Sequence, residues 1–129
     1  MIIYKLVKNL TEKENKECNI LINENFEKNR FTDYKYVIIY KIKNNIIGFI
    51  GIYENLLNQI CTNIEYRRKG IGKEMIETAK KMLKGDIYLY IDKKKENTEY
   101  LLNYYEKNGF KIIIENEIEY KMINKKNIK

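Results

Sequence analysis

Apolar and polar positions along the chain change period several times, and each change marks an element. Residues 2–7 (Ile-Ile-Tyr-Lys-Leu-Val) read as a first strand. Thr11-Glu12-Lys13-Glu14 has the spacing of a capping box and predicts a helix start. Cys18, Leu21, Ile22 and Phe26 then recur at helical spacing as its buried face, which makes Cys18 a small core hydrophobe. Residues 27–34 are polar and read as a loop or short helix. Two β-rich runs follow, Tyr36–Lys43 and Ile46–Tyr53, joined by a Lys-Asn-Asn turn as an antiparallel hairpin. Gly48 and Gly51 inside the second run permit a bulge or a close approach. After a Glu54-Asn55 turn, Leu56–Ile64 reads as a fourth strand.

Residues 70–84 put Ile71, Met75, Ile76, Ala79, Met82 and Leu83 on one helical face, with Gly85 as the stop. Ile87–Ile91 is apolar throughout, the pattern of a strand covered on both faces. Strand, helix and strand across residues 56–91 form a βαβ unit, so its two strands should run parallel. Asp92–Glu96 is a charged loop. A helix over 97–108 carries Leu101, Leu102, Tyr104 and Tyr105, with Gly109 as its C-cap. Residues 110–114 and 117–123 form a final strand pair, followed by a polar tail. The order predicts an α+β fold: one domain, residues 1–129, around one mixed sheet.

Between the fourth strand and the helix after it lies Glu65-Tyr66-Arg67-Arg68-Lys69-Gly70-Ile71-Gly72-Lys73. A strand, a basic glycine turn and a helix start describe a cradle for an anion. The first amides of a helix lack intrahelical acceptors, and the helix dipole adds partial positive charge there. The simpler reading is a basic turn that only starts a helix.

Composition narrows the chemistry. The chain has 129 residues, 44% hydrophobic and 33% charged, as suits a soluble globular protein. Its formal charge is +7, but Asn, Ile, Lys and Tyr make up 74 of the 129 residues. Such a bias matches A+T-rich codons, so the global charge says little about partners. The Arg67-Arg68-Lys69 cluster says more, because the chain has only one other arginine, Arg30. Without histidine, imidazole zinc sites and Ser-His or Cys-His nucleophile pairs are excluded, and the two cysteines have no metal spacing. Any base is a carboxylate, Tyr, Lys, the N-terminus or water. With no leader-like or membrane-length apolar segment, the expected location is cytoplasmic.

Two segments resemble the GCN5-related N-acetyltransferases (GNATs). Arg67-x-x-Gly70-x-Gly72 is similar to the family's Arg/Gln-x-x-Gly-x-Gly/Ala signature, and Tyr105-Glu106-Lys107-Asn108-Gly109-Phe110 to its Tyr-Glu-Lys-x-Gly-Phe block. The resemblance covers residues 2–123 and implies a mostly antiparallel mixed sheet of about seven strands with flanking helices. The fourth and fifth strands would splay apart. It implies acetyl-coenzyme A as acyl donor, with its pyrophosphate on Arg68–Lys73 amides and basic side chains of Arg67, Arg68 and Lys69 around them. Ile71, Gly72 and Lys73 would open the helix beneath Gly70. Pantetheine would lie along Ile60, Cys61 and Thr62, and the Thr62 N–H would polarise the thioester carbonyl.

The implied reaction is direct attack by a neutral amine through a tetrahedral intermediate. Tyr105 would be the general acid toward the departing thiolate, with Tyr104 as the alternative. Asn97 is either a coenzyme ligand or a helix cap. Glu54 is the candidate base, with water as the alternative. Cys61 otherwise reads as a packed or cleft-wall thiol. The acceptor would be a small-molecule, peptide or protein amine. It would meet the first helix, the loop after it and the final strands, including Glu24, Glu27, Lys28, Arg30 and Asp33, with Tyr34 and Tyr53 nearby. The protein would act as a monomer or homodimer, without metal, nucleic acid or membrane. A non-catalytic acyl-coenzyme A sensor is the competing reading, and a small basic nucleic-acid binder a third.

Overall fold

A computed structural model describes residues 1–25, 34–94 and 96–126. Phe26, Glu27, Lys28, Arg30 and Asp33 lie outside the described residues. The elements are β1 (Ile2–Leu6), α1 (Glu12–Asn25), β2 (Tyr36–Ile42), β3 (Asn45–Tyr53), β4 (Leu56–Thr62), α2 (Ile71–Met82), β5 (Ile87–Asp92), α3 (Thr98–Lys107), β6 (Lys111–Glu115) and β7 (Glu119–Asn124). The strands form a seven-stranded sheet in the order β1-β2-β3-β4-β5-β7-β6. All pairs are antiparallel except β4 with β5.

Alternation along β2 assigns the two sides of the sheet. Val37 and Ile39 join a cluster with Leu10, Cys18, Leu21, Ile22 and Phe49, under α1. Ile38 joins the other cluster, with Met75 and Ile76 of α2 and Tyr105 of α3. Cys18 is fully buried and not disulfide-bonded. Burial, with Glu14 and Glu17 adding to it, pushes its thiol up to about 12, as suits a core residue.

α1 starts as its sequence implies. The Glu14 N–H donates to Thr11 Oγ1 at 3.1 Å, and the Thr11 N–H donates to Glu14 Oε1 at 2.9 Å. Glu14 is 4% exposed and also pairs with Lys5 at 2.7 Å and Lys41 at 2.9 Å. Burial opposes its ionisation. The hydrogen bonds from Lys5, Thr11 and Lys41 outweigh that and hold the carboxyl at about 2. Because the folded value is depressed, the stability Glu14 contributes is present above its unfolded value near 4.5 and is lost as pH falls toward 2. Glu14→Ala should cost roughly 3 kcal/mol at neutral pH, because two partly buried ammoniums lose their partner. Urea unfolding at pH 7 and pH 3 checks this. The cost should shrink at the lower pH, and an equal cost at both would contradict the ionic role.

Three expectations are corrected. β4 stops at Thr62, not Ile64. The Asn63 side chain accepts the Glu65 N–H at 2.9 Å, and Ile64–Tyr66 forms a 3-10 turn. Gly85 is not the stop of α2: the helix ends at Met82 with extended Leu83 as its cap, and Met82 is exposed. β5 is not covered on both faces. Ile87, Leu89 and Ile91 are buried, whereas Tyr90 is 46% exposed. The Lys121 ammonium lies over the rings of Tyr88 and Tyr90, so rings that read as core are half-wet surface.

Two features of β4 shape the functional region. Its register against β3 slips between Gly51 and Ile52, where Gly51 opposes Gln59 and Ile52 opposes Leu57. Asn58 is therefore the extra residue of a bulge, and the alternation inverts across it. Leu57 packs on the α2 side, and Gln59 and Cys61 point the other way. Along β5, β4 makes one register pair, Leu56 with Tyr88. Asn55 pins that closed end, donating to the carbonyls of Lys84 at 2.6 Å and Asp86 at 2.8 Å. Beyond it the strands diverge.

Candidate active site

The splay between β4 and β5 opens into a cleft of about 1780 Å³. Its floor and walls include Ile60 and Thr62 of β4, Tyr90 and Asp92 of β5, the start of α2, and Asn97, Tyr104 and Tyr105.

At the α2 end the backbone is arranged for an anion. Arg68 has φ 62° and Gly70 has φ 80°, so the turn passes twice through the left-handed region. Gly70 is the helix cap and supplies no side-chain cap. The first bond of the helix is from the Glu74 N–H to the Gly70 carbonyl at 3.0 Å, which leaves the amides of Ile71, Gly72 and Lys73 ahead of it. A Cβ added at Gly70 would meet no protein atom within 4 Å. Ile71, Gly72 and Lys73 line the cleft together with Arg67 and Arg68. The Arg67 Nε donates to the Thr62 carbonyl at 3.3 Å, tying the turn to the end of β4. Lys69 leans over the Tyr66 ring at 5.5 Å and is not part of the cleft lining.

α3 carries the two candidate tyrosines. Asn108 caps its C-terminus, and Gly109, at φ 93°, continues the chain through the left-handed region. The Phe110 N–H reaches the Tyr105 carbonyl at 3.0 Å and the Gly109 N–H that of Glu106 at 3.1 Å. This is a Schellman ending, with Phe110 packed edge-on against Tyr105 at 5.9 Å. The Tyr-Glu-Lys-Asn-Gly-Phe block is thus the local code that locks Tyr105 in place. Tyr105 is 9% exposed, and burial raises its hydroxyl above the ordinary range, with Tyr104 and Cys61 adding to it. Tyr104 is half-buried and also raised, by burial and then by Tyr100. Their positions differ. A Cβ at Gly72 would meet the Tyr104 hydroxyl at 2.7 Å, so Tyr104 stands over the α2 turn. Tyr105 instead packs into the core cluster on the α2 side of the sheet, with Met75 and Ile76.

Of the other sequence-derived candidates, Ile60, Thr62 and Asn97 line the cleft. Asn97 sits at the cap position of α3, but its side chain makes no capping bond. The Cys61 side chain is fully buried on the α1 side. Glu54 is exposed at the β3–β4 turn, with φ 54°, and lies outside the cleft lining at the closed end of the strands. Among the described residues, the carboxylates that line the cleft are Asp92 and Glu96. Reading residues 92–96 as a charged loop passed over them. The available signal was their place at and just beyond the C-terminal end of a parallel strand, where ligands gather. Gln59 was also missed. It is 7% exposed, lines the cleft and accepts a hydrogen bond from the Tyr34 hydroxyl. The Tyr34 ring fits because Gly51 leaves room: a Cβ there would meet it at 2.6 Å.

Residues 33–112 match the family model of the acetyltransferase (GNAT) domain. The chain belongs to the GNAT family. No curated protein sequence matches it significantly. Among solved structures it is similar to a PaiA N-acetyltransferase from Thermoplasma acidophilum in complex with coenzyme A, at 26% identity and TM-score 0.61. That match covers 70% of this chain and 60% of the other, so this chain spans less than two thirds of that relative. An aminoglycoside 6'-N-acetyltransferase complexed with coenzyme A shares the fold, with TM-score 0.73, 14% identity and coverage of 95% and 96%. So does Arabidopsis thaliana Naa50 in complex with a bisubstrate analogue, CoA-Ac-MVNAL, with TM-score 0.70, 17% identity and coverage of 95% and 97%. The parallel, splayed β4–β5 pair is that of the GNAT fold. No described helix is long and apolar enough to cross a membrane.

Proposed function

We propose that this chain transfers the acetyl group of acetyl-coenzyme A to an amine. The observation that carries the reading is the uncapped α2 N-terminus, opening into the splay between β4 and β5. Helix-start amides with clustered arginine and lysine suit a pyrophosphate, and an unpaired strand edge suits the amides of pantetheine. Gly70 leaves the space such a ligand needs. The coenzyme supplies an activated acyl carbon. The amine nitrogen forms a bond to it, the C–S bond breaks, and the thiolate departs.

The chain's own residues then have separate tasks. Backbone amides of Arg68–Lys73 hold the pyrophosphate, with Arg67, Arg68 and Lys73 supplying charge and Lys69 adding charge from the rim. Ile60–Thr62 border the pantetheine, and the Thr62 N–H faces the developing oxyanion. Asn97 adds a polar contact. Tyr105 donates its O–H toward the departing sulfur. A tyrosine raised above its ordinary value is a poor full proton donor to a thiolate of ordinary pKa ~8.5, so its contribution is hydrogen bonding. Glu54 lies away from the cleft lining, and water, the alternative base, takes the ammonium proton. Acceptors are small-molecule or peptide amines, and the reaction takes place in the cytoplasm.

One observation favours a second reading, an acyl-coenzyme A sensor: β4 brings no carboxylate to the cleft. Coenzyme A thiol release, measured with a panel of amines and amino acids, separates the two. Release that tracks acetylated product supports the transferase. Bound acetyl-coenzyme A with no release on any acceptor would make the protein a sensor.

A further inference from the structure

We infer that Lys121 forms an anion subsite beside the cleft and selects acceptor amines that also carry a carboxylate, such as amino acids; this rests on the transferase reading above. The argument starts from sidedness. Leu57 packs on the α2 side, so Leu56 faces the α1 side, and its parallel partner Tyr88 shares that face. Tyr90 and Asp92 follow at period two. Their partners across the antiparallel ladder are Lys121 for Tyr90 and Glu119 for Asp92. The bulge at Asn58 returns Gln59 to this same face, on the opposite wall of the splay. α1 packs on β3 and β4, which leaves Tyr90 about half exposed where it lines the cleft.

Lys121 is held there by rings rather than by charge. Its Nζ lies 4.8 Å from the Tyr88 ring centre and 5.7 Å from that of Tyr90. Rings attract a cation without neutralising it. Lys93 shows the contrast: it lies 4.8 Å over Tyr120 and is also paired with Glu115 at 2.7 Å. Lys5 and Lys41 share Glu14. Lys121, partly buried, pairs with no carboxylate among the described residues. An ammonium held at this face with no carboxylate partner among the described residues repels a bare cationic amine and attracts an anion. The next pair on the face, Asp92 and Glu119, is acidic, and Asp92 lines the cleft. A cation and a carboxylate in adjacent rows complement a molecule with an amine at one end and a carboxylate at the other.

The test compares amino acids with their carboxamides, as kcat/KM from thiol release, in the wild type and in Lys121→Met. Methionine keeps an apolar chain over the rings and removes the charge. Each acceptor is compared with itself across the two proteins, so the basicity of its amine cancels. The acid-to-amide ratio should fall about tenfold in Lys121→Met and further in Lys121→Glu. An unchanged ratio would show that the lysine only covers two rings and would overturn the inference while the transferase reading stands. No release with any acceptor, despite bound acetyl-coenzyme A, would overturn both.

Discussion

Gly70→Glu is expected to abolish stabilisation by acetyl-coenzyme A while the protein still folds. Gly70 sits at φ 80°, and a Cβ there would meet no protein atom within 4 Å. A glutamate would project over the amides of Ile71, Gly72 and Lys73 and present its own carboxylate where the pyrophosphate is expected. The variant carries two effects that must be separated. A non-glycine residue in the left-handed region costs roughly 1 kcal/mol. Gly70→Ala carries that strain without the charge. It should lower the stability of the free protein by about that amount and retain part of the ligand-induced shift. Thermal unfolding with and without acetyl-coenzyme A reads both. A folded Gly70→Glu protein with the full shift would move the coenzyme's phosphates away from the α2 turn.

Tyr105→Phe is expected to lower kcat roughly 100-fold and leave stabilisation by acetyl-coenzyme A in place. Phenylalanine preserves the ring contacts with Tyr104 and Phe110, at 5.2 and 5.9 Å, so the loss is confined to the hydroxyl. Tyr104→Phe should behave differently, because its hydroxyl stands over Gly72 at the start of α2. Its effect should fall on coenzyme binding. Burial also fixes the pH signature of Tyr105. With its value raised, the hydroxyl stays protonated past the ordinary tyrosine value of about 10. The rate of the wild type should rise as the acceptor amine loses its proton and show no descending limb below about pH 10. A descending limb between about pH 8 and 10 that disappears in Tyr105→Phe would mean that the hydroxyl titrates in the open, against its buried position.

The residues that announced the site in the sequence are those whose chemistry is local. A glycine turn before an amphipathic helix, and the Tyr-Glu-Lys-Asn-Gly-Phe block, encode their own geometry within a few residues. The capping box at Thr11 and Glu14 is legible for the same reason. What was hidden depends on register between strands far apart in the chain. The bulge at Asn58 leaves no mark in Leu-Leu-Asn-Gln-Ile-Cys-Thr, yet it decides that Gln59 reaches Tyr34 and that Cys61 is buried under α1. β5 was misread as doubly covered because tyrosine serves both core and surface. Its status depended on where α1 packs, over β3 and β4. Glu54 was attractive by proximity in sequence to β4, but the closed end of the β4–β5 pair is its neighbourhood, and the cleft opens at the other. Asp92 and Glu96, hidden in an unremarkable charged stretch, are the carboxylates that line the cleft among the described residues.

The measurement that bears most directly on the cleft is thermal unfolding of the wild-type protein against acetyl-coenzyme A concentration. At ~100 times its Kd the ligand should add roughly 2.7 kcal/mol of stability, or roughly 10 °C for a domain of this length. The shift should grow with the logarithm of concentration. No shift at millimolar acetyl-coenzyme A would contradict the assignment of the β4–β5 splay and the α2 turn as its binding site.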